Sequence, residues 1–287
     1  MTIADALAWA GERLGPSPTA NVDARLLLQH VLQRSRASLI AHGDEPLTPD
    51  QQARFKALVG RAAQREPVPY LVGSAPFFGL DFAVTPAVLI PRPETELLVE
   101  AALQWAQRRP GLVAVDVGTG SGCIAVTLAR ELPGARILAT DISAEALEVA
   151  RQNALRHGVE SRIEFFQGSL LAPVTEAPDL VVSNLPYIGD AEWTELDGGV
   201  KWYEPELALR GGPTGLELIE RLLQEAKACL RSGAALFLEL GWRQGPAAQK
   251  VAQETFPQAE IELLPDYAGH DRVLAIKKDE YPPSASK

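Results

Sequence analysis

Three glycines, Gly118, Gly120 and Gly122, occupy the segment VAVDVGTGSGCIAV between a run typical of a strand and one typical of a helix. A tight turn at such a junction needs residues that accept positive φ, and glycine does so without strain. Asp116 precedes the loop, and Asp141 ends the next apolar run about one βα unit later. Because an acidic side chain at this second position can accept both ribose hydroxyls, the spacing predicts a site for an adenosine-containing cofactor.

The glycine spacing narrows the choice of cofactor. A dinucleotide loop of the form G-x-G-x-x-G would need glycine where Cys123 stands, and the Lys followed by Ser or Thr of a phosphate-binding loop is absent. The pattern D-x-G-x-G-x-G resembles the donor-binding loop of S-adenosylmethionine-dependent methyltransferases. It implies S-adenosyl-L-methionine as cofactor and S-adenosyl-L-homocysteine as product. This donor carries an ammonium and a sulfonium but no phosphate, so a nearby carboxylate attracts it.

A polar group follows another hydrophobic run in VVSNLPYIG, residues 181–189. Asn and Pro are turn formers, so the simplest interpretation is that they end a strand and begin a loop. The run is the fourth strand-like segment of its region, however, which places Asn184 at the same sheet edge as Asp116 and Asp141. That position favours a catalytic role.

The tetrapeptide Asn184-Leu185-Pro186-Tyr187 resembles the N-P-P-Y motif of enzymes that methylate nitrogens conjugated to a ring or a carbonyl. The resemblance implies that the Asn184 side-chain oxygen and the Leu185 carbonyl accept the two N–H groups of the target, while Tyr187 packs on its flat face. Pro186 belongs to the same catalytic loop. Leu185 stands where proline is usual, which keeps the carbonyl but removes the stiffness of a second ring.

The same resemblance implies a set of cofactor contacts. A departure lies in GSLLAP, residues 168–173, where relatives often carry an acidic residue and a bulky neighbour near the adenine. Here Gly168 and Ser169 offer only a backbone contact or a hydroxyl. The implied cofactor-binding residues are Asp116, Gly118, Thr119, Gly120, Ser121, Gly122, Asp141, Ser169 and Asn184.

Short apolar runs alternate with amphipathic helical segments from residue 111 onward, as in LVAVDV, RILAT, IEFFQ, LVVSN and AALFLEL. Repeated βα units predict a largely parallel sheet covered by helices on both faces. The last two runs, IELLP and RVLAIK, have no helix between them, which predicts an antiparallel pair at the end of the sheet. The fold class is therefore α/β, with a Rossmann-like methyltransferase domain implied by the loop.

The N-terminal part has a different pattern, with apolar residues at three-to-four spacing and breakers at GPSP, HGDEP and EPVP. It predicts a small helical bundle over residues 1–72. Residues 73–90 contain GSAPFFGLDFAV and are expected to form a hairpin linker. The methyltransferase domain is assigned to residues 91–279, and residues 280–287 are expected to be a disordered tail.

Five further blocks resemble the bacterial HemK/PrmC family in that family's order: GSAPFFGLDFAV, LIPRPETELLVE, YEPELALRGGPTGLELI, LELGWRQG and DYAGHDRVLAI. The resemblance implies an N5-glutamine methyltransferase acting on the Gly-Gly-Gln loop of bacterial class 1 peptide chain release factors, in translation termination. It also implies that the helical domain docks the factor.

Composition excludes several other classes. The start lacks a basic region before a long apolar run, and no apolar stretch could span a bilayer, which predicts a cytoplasmic protein without membrane attachment. Two cysteines and four scattered histidines show no metal-ligand spacing, so no metal is expected. The net charge of −10 lies mostly after residue 80, which weighs against a nucleic-acid substrate.

Three alternatives remain open from the sequence. A glutamine methyltransferase of a ribosomal protein would share the catalytic domain, and mass spectrometry of purified candidates would separate the two. A nucleic-acid amino-methyltransferase would bind duplex or structured RNA with steep salt dependence. A donor-binding protein without catalysis, suggested by Leu185 and by GSL at residues 168–170, would bind the donor but show no turnover.

Overall fold

The computed structural model describes residues 1–107 and 109–278, and the chain divides into two compact units. The first unit comprises residues 1–74 and 197–203. The second comprises residues 75–196 and the described residues from 204 onward. The expected tail, 280–287, lies outside the described residues.

The first unit is helical, as predicted. Capping boxes begin two of its helices: Thr2 exchanges side-chain and backbone hydrogen bonds with Asp5, and Thr48 does so with Gln51. Such a cap stabilises a helix by about 1 kcal/mol. The core of this unit contains Leu27 and Phe55, both fully buried. Its helices are α1 (Ile3–Leu14), α2 (Ala20–Leu32), α3 (Arg36–Ala41), α4 (Pro49–Ala62), α5 (Val68–Val72) and, from the distant segment, α10 (Gly198–Tyr203).

The second unit contains a seven-stranded sheet. In their order across the sheet, the strands are β10 (Glu260–Pro265), β11 (Asp271–Lys277), β9 (Ala235–Glu239), β6 (Leu180–Ser183), β3 (Val113–Val117), β4 (Arg136–Asp141) and β5 (Ile163–Gln167). The five strands from β9 to β5 are parallel to one another, whereas β11 runs antiparallel to both β9 and β10. The predicted antiparallel pair at the sheet end is therefore confirmed.

Both faces of the sheet are covered. Successive strand residues point to opposite faces, so Ala114 packs in one core cluster and its neighbour Val115 in the other. The hairpin expected to be a linker contributes Phe77 and Phe82 to the first cluster. The helices of this unit are α6 (Glu94–Ala106), α7 (Cys123–Glu131), α8 (Ala144–Arg156), α9 (Asp190–Glu195), α11 (Glu217–Cys229) and α12 (Gly245–Thr255), with short 3-10 helices at Glu160–Arg162 and Glu206–Ala208.

Two small strand pairs complete the unit: the hairpin β1 (Ser74–Phe77) with β2 (Leu80–Ala83), and the parallel pair β7 (Ile188–Gly189) with β8 (Arg210–Gly212). In the main sheet, the chain proceeds from β3 to β4 on one side and later returns to β6 on the other. Ligands of open α/β sheets bind at such a switch point, beyond the carboxyl ends of the strands. Among the residues that the structure describes, none of the helices combines the length with the apolar character that a membrane span requires.

Candidate active site

A cavity of about 370 Å³ lies at the carboxyl ends of β3 and β6. Its volume falls within the range of small-molecule sites. The structure brings nine of the twelve predicted site residues to its wall: Gly118, Thr119, Gly120, Ser121, Asp141, Ser169, Asn184, Leu185 and Pro186. Asp116, Gly122 and Tyr187 do not line it.

The glycine loop has the left-handed backbone that its composition predicts, with φ of +74° at Gly118, +53° at Gly120 and +80° at Gly122. Gly122 faces α8 and not the cavity, because a Cβ there would lie 3.0 Å from that of Ala150. On α8, the buried Asn153 donates to the Ser121 carbonyl at 2.8 Å and so holds the loop from behind. This supporting amide was not predicted, since only the folded chain brings it to the loop.

Asp116, which the resemblance implies as a cofactor-binding residue, lies beneath the loop and does not line the cavity. Its Oδ2 atom accepts the hydroxyl of Thr119 at 2.6 Å and the N–H of Ala125 at 3.0 Å. Its Oδ1 atom has no partner in the part of the chain that the structure describes, and complete burial raises the pKa of the carboxyl to about 7. Asp116 therefore joins the loop to the first turn of α7.

Asp141 lies at the cavity wall, where the sequence places it. Its Oδ2 atom accepts the N–H of Gly120 and its Oδ1 atom that of Ser143, both at 2.9 Å. Burial raises the pKa of this carboxyl. Because each carboxylate oxygen can accept a second hydrogen bond, Asp141 can also receive two hydroxyl groups from a ligand. Ser169, which is predicted to lie near the adenine, also lines the cavity. Its hydroxyl accepts a hydrogen bond from Arg221 at 3.3 Å.

Asn184 presents two different sides. Its Nδ2 atom donates to the Thr95 hydroxyl at 3.0 Å, and Thr95 donates to Oε2 of Glu239 at 2.6 Å. Within residues 1–107 and 109–278, neither Oδ1 of Asn184 nor the carbonyl oxygen of Leu185 receives a hydrogen bond. The cavity wall therefore carries two consecutive residues with an acceptor available to a ligand.

Tyr187, which the resemblance implies packs on the flat face of the target, lies behind this wall and does not line the cavity. Its hydroxyl donates to Oε1 of Glu239 at 3.4 Å. Burial raises the pKa of the phenol, so it stays protonated at neutral pH. The aromatic residue of the motif thus supports the loop from inside the unit.

The backbone at 186–187 is enclosed by parts of the chain whose role was not predicted from the sequence. A Cβ at Gly211 would lie 2.4 Å from the Pro186 carbonyl oxygen, and one at Gly215 would lie 2.1 Å from that of Tyr187. The side chain of Gln244 donates to the same Tyr187 oxygen at 2.8 Å. The glycines of RGGPTG were the available signal, because closely spaced glycines often mark a close backbone approach.

Another part of the cavity wall, residues 86–92, is held by the buried side chain of Glu204. This carboxylate accepts the N–H of Ile90 at 3.2 Å and forms an ion pair with Arg92. A buried carboxylate is tolerated when it is paired in this way. The described residues contain no cluster of three or more His, Cys, Asp or Glu side chains suited to a metal ion.

Two families match the two units. Residues 5–73 match the PrmC N-terminal domain family, and residues 93–196 match the methyltransferase small domain family. A release factor glutamine methyltransferase from Moorella thermoacetica is 42% identical over 98% of this chain and 100% of its own length. The chain belongs to the release factor glutamine methyltransferase family. Its relative from Koribacter versatilis is 39% identical over 91% of this chain and 92% of its own.

A solved structure gives the fold the same assignment. The ribosomal protein L11 methylase from Lactobacillus delbrueckii subsp. bulgaricus is 25% identical, with a TM-score of 0.52, over 72% of this chain and 90% of its own. The family membership and the Rossmann-like methyltransferase fold predicted from the sequence are both confirmed.

Proposed function

We propose that this protein transfers a methyl group from S-adenosyl-L-methionine to the side-chain amide nitrogen of the glutamine in the Gly-Gly-Gln loop of bacterial class 1 release factors. Membership of the release factor glutamine methyltransferase family supports the substrate class. The observation that carries the chemistry is the pair of available acceptors at the cavity wall, Asn184 Oδ1 and the Leu185 carbonyl.

The residues around the cavity fit the proposed cofactor. When bound, S-adenosyl-L-methionine supplies an electron-poor methyl carbon. Asp141 would hold the ribose hydroxyls through its unused lone pairs, and the backbone of Gly118 and Gly120 allows a ligand to approach closely. Ser169 would contribute a hydroxyl near the base, oriented by Arg221. S-adenosyl-L-homocysteine would leave from the same cavity.

The two acceptors would orient the substrate amide. A glutamine side chain has two N–H groups and a nitrogen whose lone pair is delocalised, which makes that nitrogen a weak nucleophile. If Asn184 Oδ1 and the Leu185 carbonyl each accept one N–H, the nitrogen is held in one orientation. The same two oxygens attract the nitrogen more strongly as it becomes cationic, and such differential attraction lowers the barrier. The methylated nitrogen then loses a proton readily, so no strong base is required.

The same contacts would select glutamine over glutamate. A carboxylate would place its oxygens against two acceptors and leave buried groups unpaired, at a cost of about 1–3 kcal/mol or more. That cost corresponds to roughly 5- to 150-fold discrimination or more. A release factor whose loop glutamine is replaced by glutamate is therefore a matched negative control.

Leu185 is compatible with this role although proline is usual there. The side chain is buried in the core cluster below the site, and its Cδ2 atom would be 3.2 Å from a Cβ at Gly118. Packing against the glycine loop would therefore hold the Leu185 carbonyl in place, together with the enclosed backbone of the next two residues.

The decisive experiment incubates the protein with S-adenosyl-L-methionine and a class 1 release factor, followed by peptide mapping. We expect one added methyl group on the loop glutamine and none on the glutamate variant. Preferential methylation of a ribosomal protein, or donor binding without turnover on any release factor, would contradict the proposal.

We also propose that the helical unit contributes to binding of the factor. Its residues 5–73 match the PrmC N-terminal domain family, and its α2 helix exposes Val22 and Leu26 on one face. The full-length protein should therefore have a lower KM for the whole factor than for a short peptide containing the loop. Equal KM values would argue that the loop alone is recognised.

A further inference from the structure

A buried carboxylate at the end of β9 is connected to the proposed catalytic amide. Glu239 is 1% exposed, and its Oε2 atom accepts the hydroxyl of Thr95 at 2.6 Å. The oxygen of that hydroxyl accepts a hydrogen bond from Nδ2 of Asn184 at 3.0 Å. The second carboxylate oxygen accepts the hydroxyl of Tyr187 at 3.4 Å. Residues from β9, from the first turn of α6 and from the loop after β6 thus form one hydrogen-bonded chain.

The chemistry of these groups determines the direction of that chain. An ionised carboxylate can only accept hydrogen bonds, so Thr95 must donate its single O–H to Glu239. The Thr95 oxygen then has only lone pairs to offer Asn184. The carboxamide must therefore turn its NH₂ group toward Thr95 and its oxygen away. A protonated Glu239 can itself donate, which frees Thr95 to donate to a reversed carboxamide.

We propose that the negative charge on Glu239, relayed by the Thr95 hydroxyl, holds the Asn184 carboxamide with its oxygen facing the substrate. Glu239 and Thr95 are then positioning residues for methyl transfer. This inference rests on the proposed function, in which Asn184 Oδ1 accepts an N–H of the substrate. A reversed carboxamide would face the substrate amide donor against donor, and binding in the reactive orientation would be lost.

The surroundings of Glu239 make its charge sensitive to pH near neutrality. Burial raises the pKa of this carboxyl to about 7, while the Thr95 hydrogen bond and the positive charge of Arg272 favour the ionised form. The fraction of molecules in which the Asn184 carboxamide has its oxygen facing the substrate should therefore increase as the pH rises through about 7. The charged or titratable groups that face Glu239 are Arg272 on β11, Glu94 at the start of α6, Cys123 at the start of α7, and Tyr187.

Nuclear magnetic resonance can follow the Asn184 amide individually, because the chain contains only three asparagines, Asn21, Asn153 and Asn184. Labelling the asparagine side-chain amides with ¹⁵N gives three NH₂ signals. From roughly pH 5.5 to 8.5 we expect the Asn184 signals to shift with a midpoint near neutrality. In Glu239→Gln, the shift of the Asn184 signals with a midpoint near neutrality should be absent. The comparison with Glu239→Gln is needed because Asp116 titrates in the same region.

Kinetics with release factor and donor provide the second measurement. Thr95→Val removes the relay, and we expect kcat to fall by roughly 10- to 100-fold, with recovery in Thr95→Ser. Glu239→Gln should lower kcat about fivefold at high pH, because its amide no longer dictates one direction, and should remove the loss of rate at acid pH. Thr255→Val is a matched control: Thr255 is equally buried, donates to the Val251 carbonyl and does not line the cavity.

The outcomes separate this inference from the proposed function. If the parent protein does not methylate any release factor, the proposed function fails, while the Asn184 signals still test the orientation. If the parent is active but Thr95→Val and Glu239→Gln match its rate, the positioning role is overturned. An acid loss of rate or an Asn184 shift that persists in Glu239→Gln overturns the role of the charge. If Glu239→Gln does not fold, the kcat of Thr95→Val and the pH titration of the Asn184 signals in the parent protein test the proposal instead.

Discussion

Gly215 lies directly against the backbone of Tyr187. A Cβ at position 215 would lie 2.1 Å from the Tyr187 carbonyl oxygen. That oxygen already accepts the side-chain amide of Gln244 at 2.8 Å. The position of the loop that carries the proposed catalytic residues therefore depends on a glycine 28 residues further along the chain.

Replacing Gly215 should lower kcat by more than the accompanying loss of stability can explain. Gly215→Ala must place a side chain at φ of +81° and also displace the Tyr187 carbonyl, so kcat should fall about tenfold or more. Gly158→Ala is the matched control, because Gly158 also has positive φ (+67°) but has open space around its Cβ position. It should lose about 1 kcal/mol of stability and keep its turnover. Equal kcat in the two variants would contradict the role of Gly215.

Asn184→Ala should separate catalysis from donor binding. Removing one preorganised polar group that interacts with the reacting nitrogen should lower kcat by roughly 10²- to 10³-fold. The dissociation constant for S-adenosyl-L-homocysteine, measured by calorimetry, should change by less than about threefold, since the contacts at Asp141 remain. A variant that methylates release factor at the parent rate would remove Asn184 from the mechanism.

Asp141→Ala should have the opposite effect. Loss of two hydrogen bonds to a charged acceptor should weaken S-adenosyl-L-homocysteine binding by roughly 10- to 100-fold. At saturating donor the turnover number should remain within about threefold of the parent. Asp141→Asn, which keeps one acceptor, should bind with intermediate affinity, and unchanged affinity in both variants would show that this carboxylate does not hold the ribose.

The stability of the protein should fall as the pH rises through the range in which Glu239 ionises. Burial raises the pKa of this carboxyl from 4.5 to about 7, so between these values the unfolded state loses its proton while the folded state keeps it, and stability falls until the loss levels off above about pH 7. The Tm of Glu239→Gln minus that of the parent should therefore become more positive from roughly pH 5 to pH 8. A constant difference would mean that the folded and unfolded pKa values are alike.

The sequence was sufficient to predict local structure where the residues of one short segment determine both the backbone conformation and the position of the side chain. The glycines at 118, 120 and 122 have positive φ as expected, and Asp141 stands at the end of its strand against the cavity. Asn184 reaches the same sheet edge because β3 and β6 are parallel neighbours. These features follow from alternation, spacing and turn chemistry, which act over a few residues.

The direction of a buried side chain was not accessible in this way. Asp116 and Tyr187 belong to the right segments, but one turns under the loop and the other turns toward Glu239. Each direction is decided by where a hydrogen-bond partner lies, and a buried polar group must find one. Those partners come from other elements of the fold, so neither direction can be inferred from neighbours in sequence alone.

The sequence by itself determined the two kinds of structure, the glycine loop, the polar strand end and the family to which the chain belongs. Only the tertiary structure decided that Thr95 and Glu239, 144 residues apart, form one hydrogen-bonded chain with Asn184, and that Gln244 holds the loop beside it. Local propensity reaches along one helix or strand, whereas these contacts arise because the order of strands in the sheet brings distant segments to a single edge.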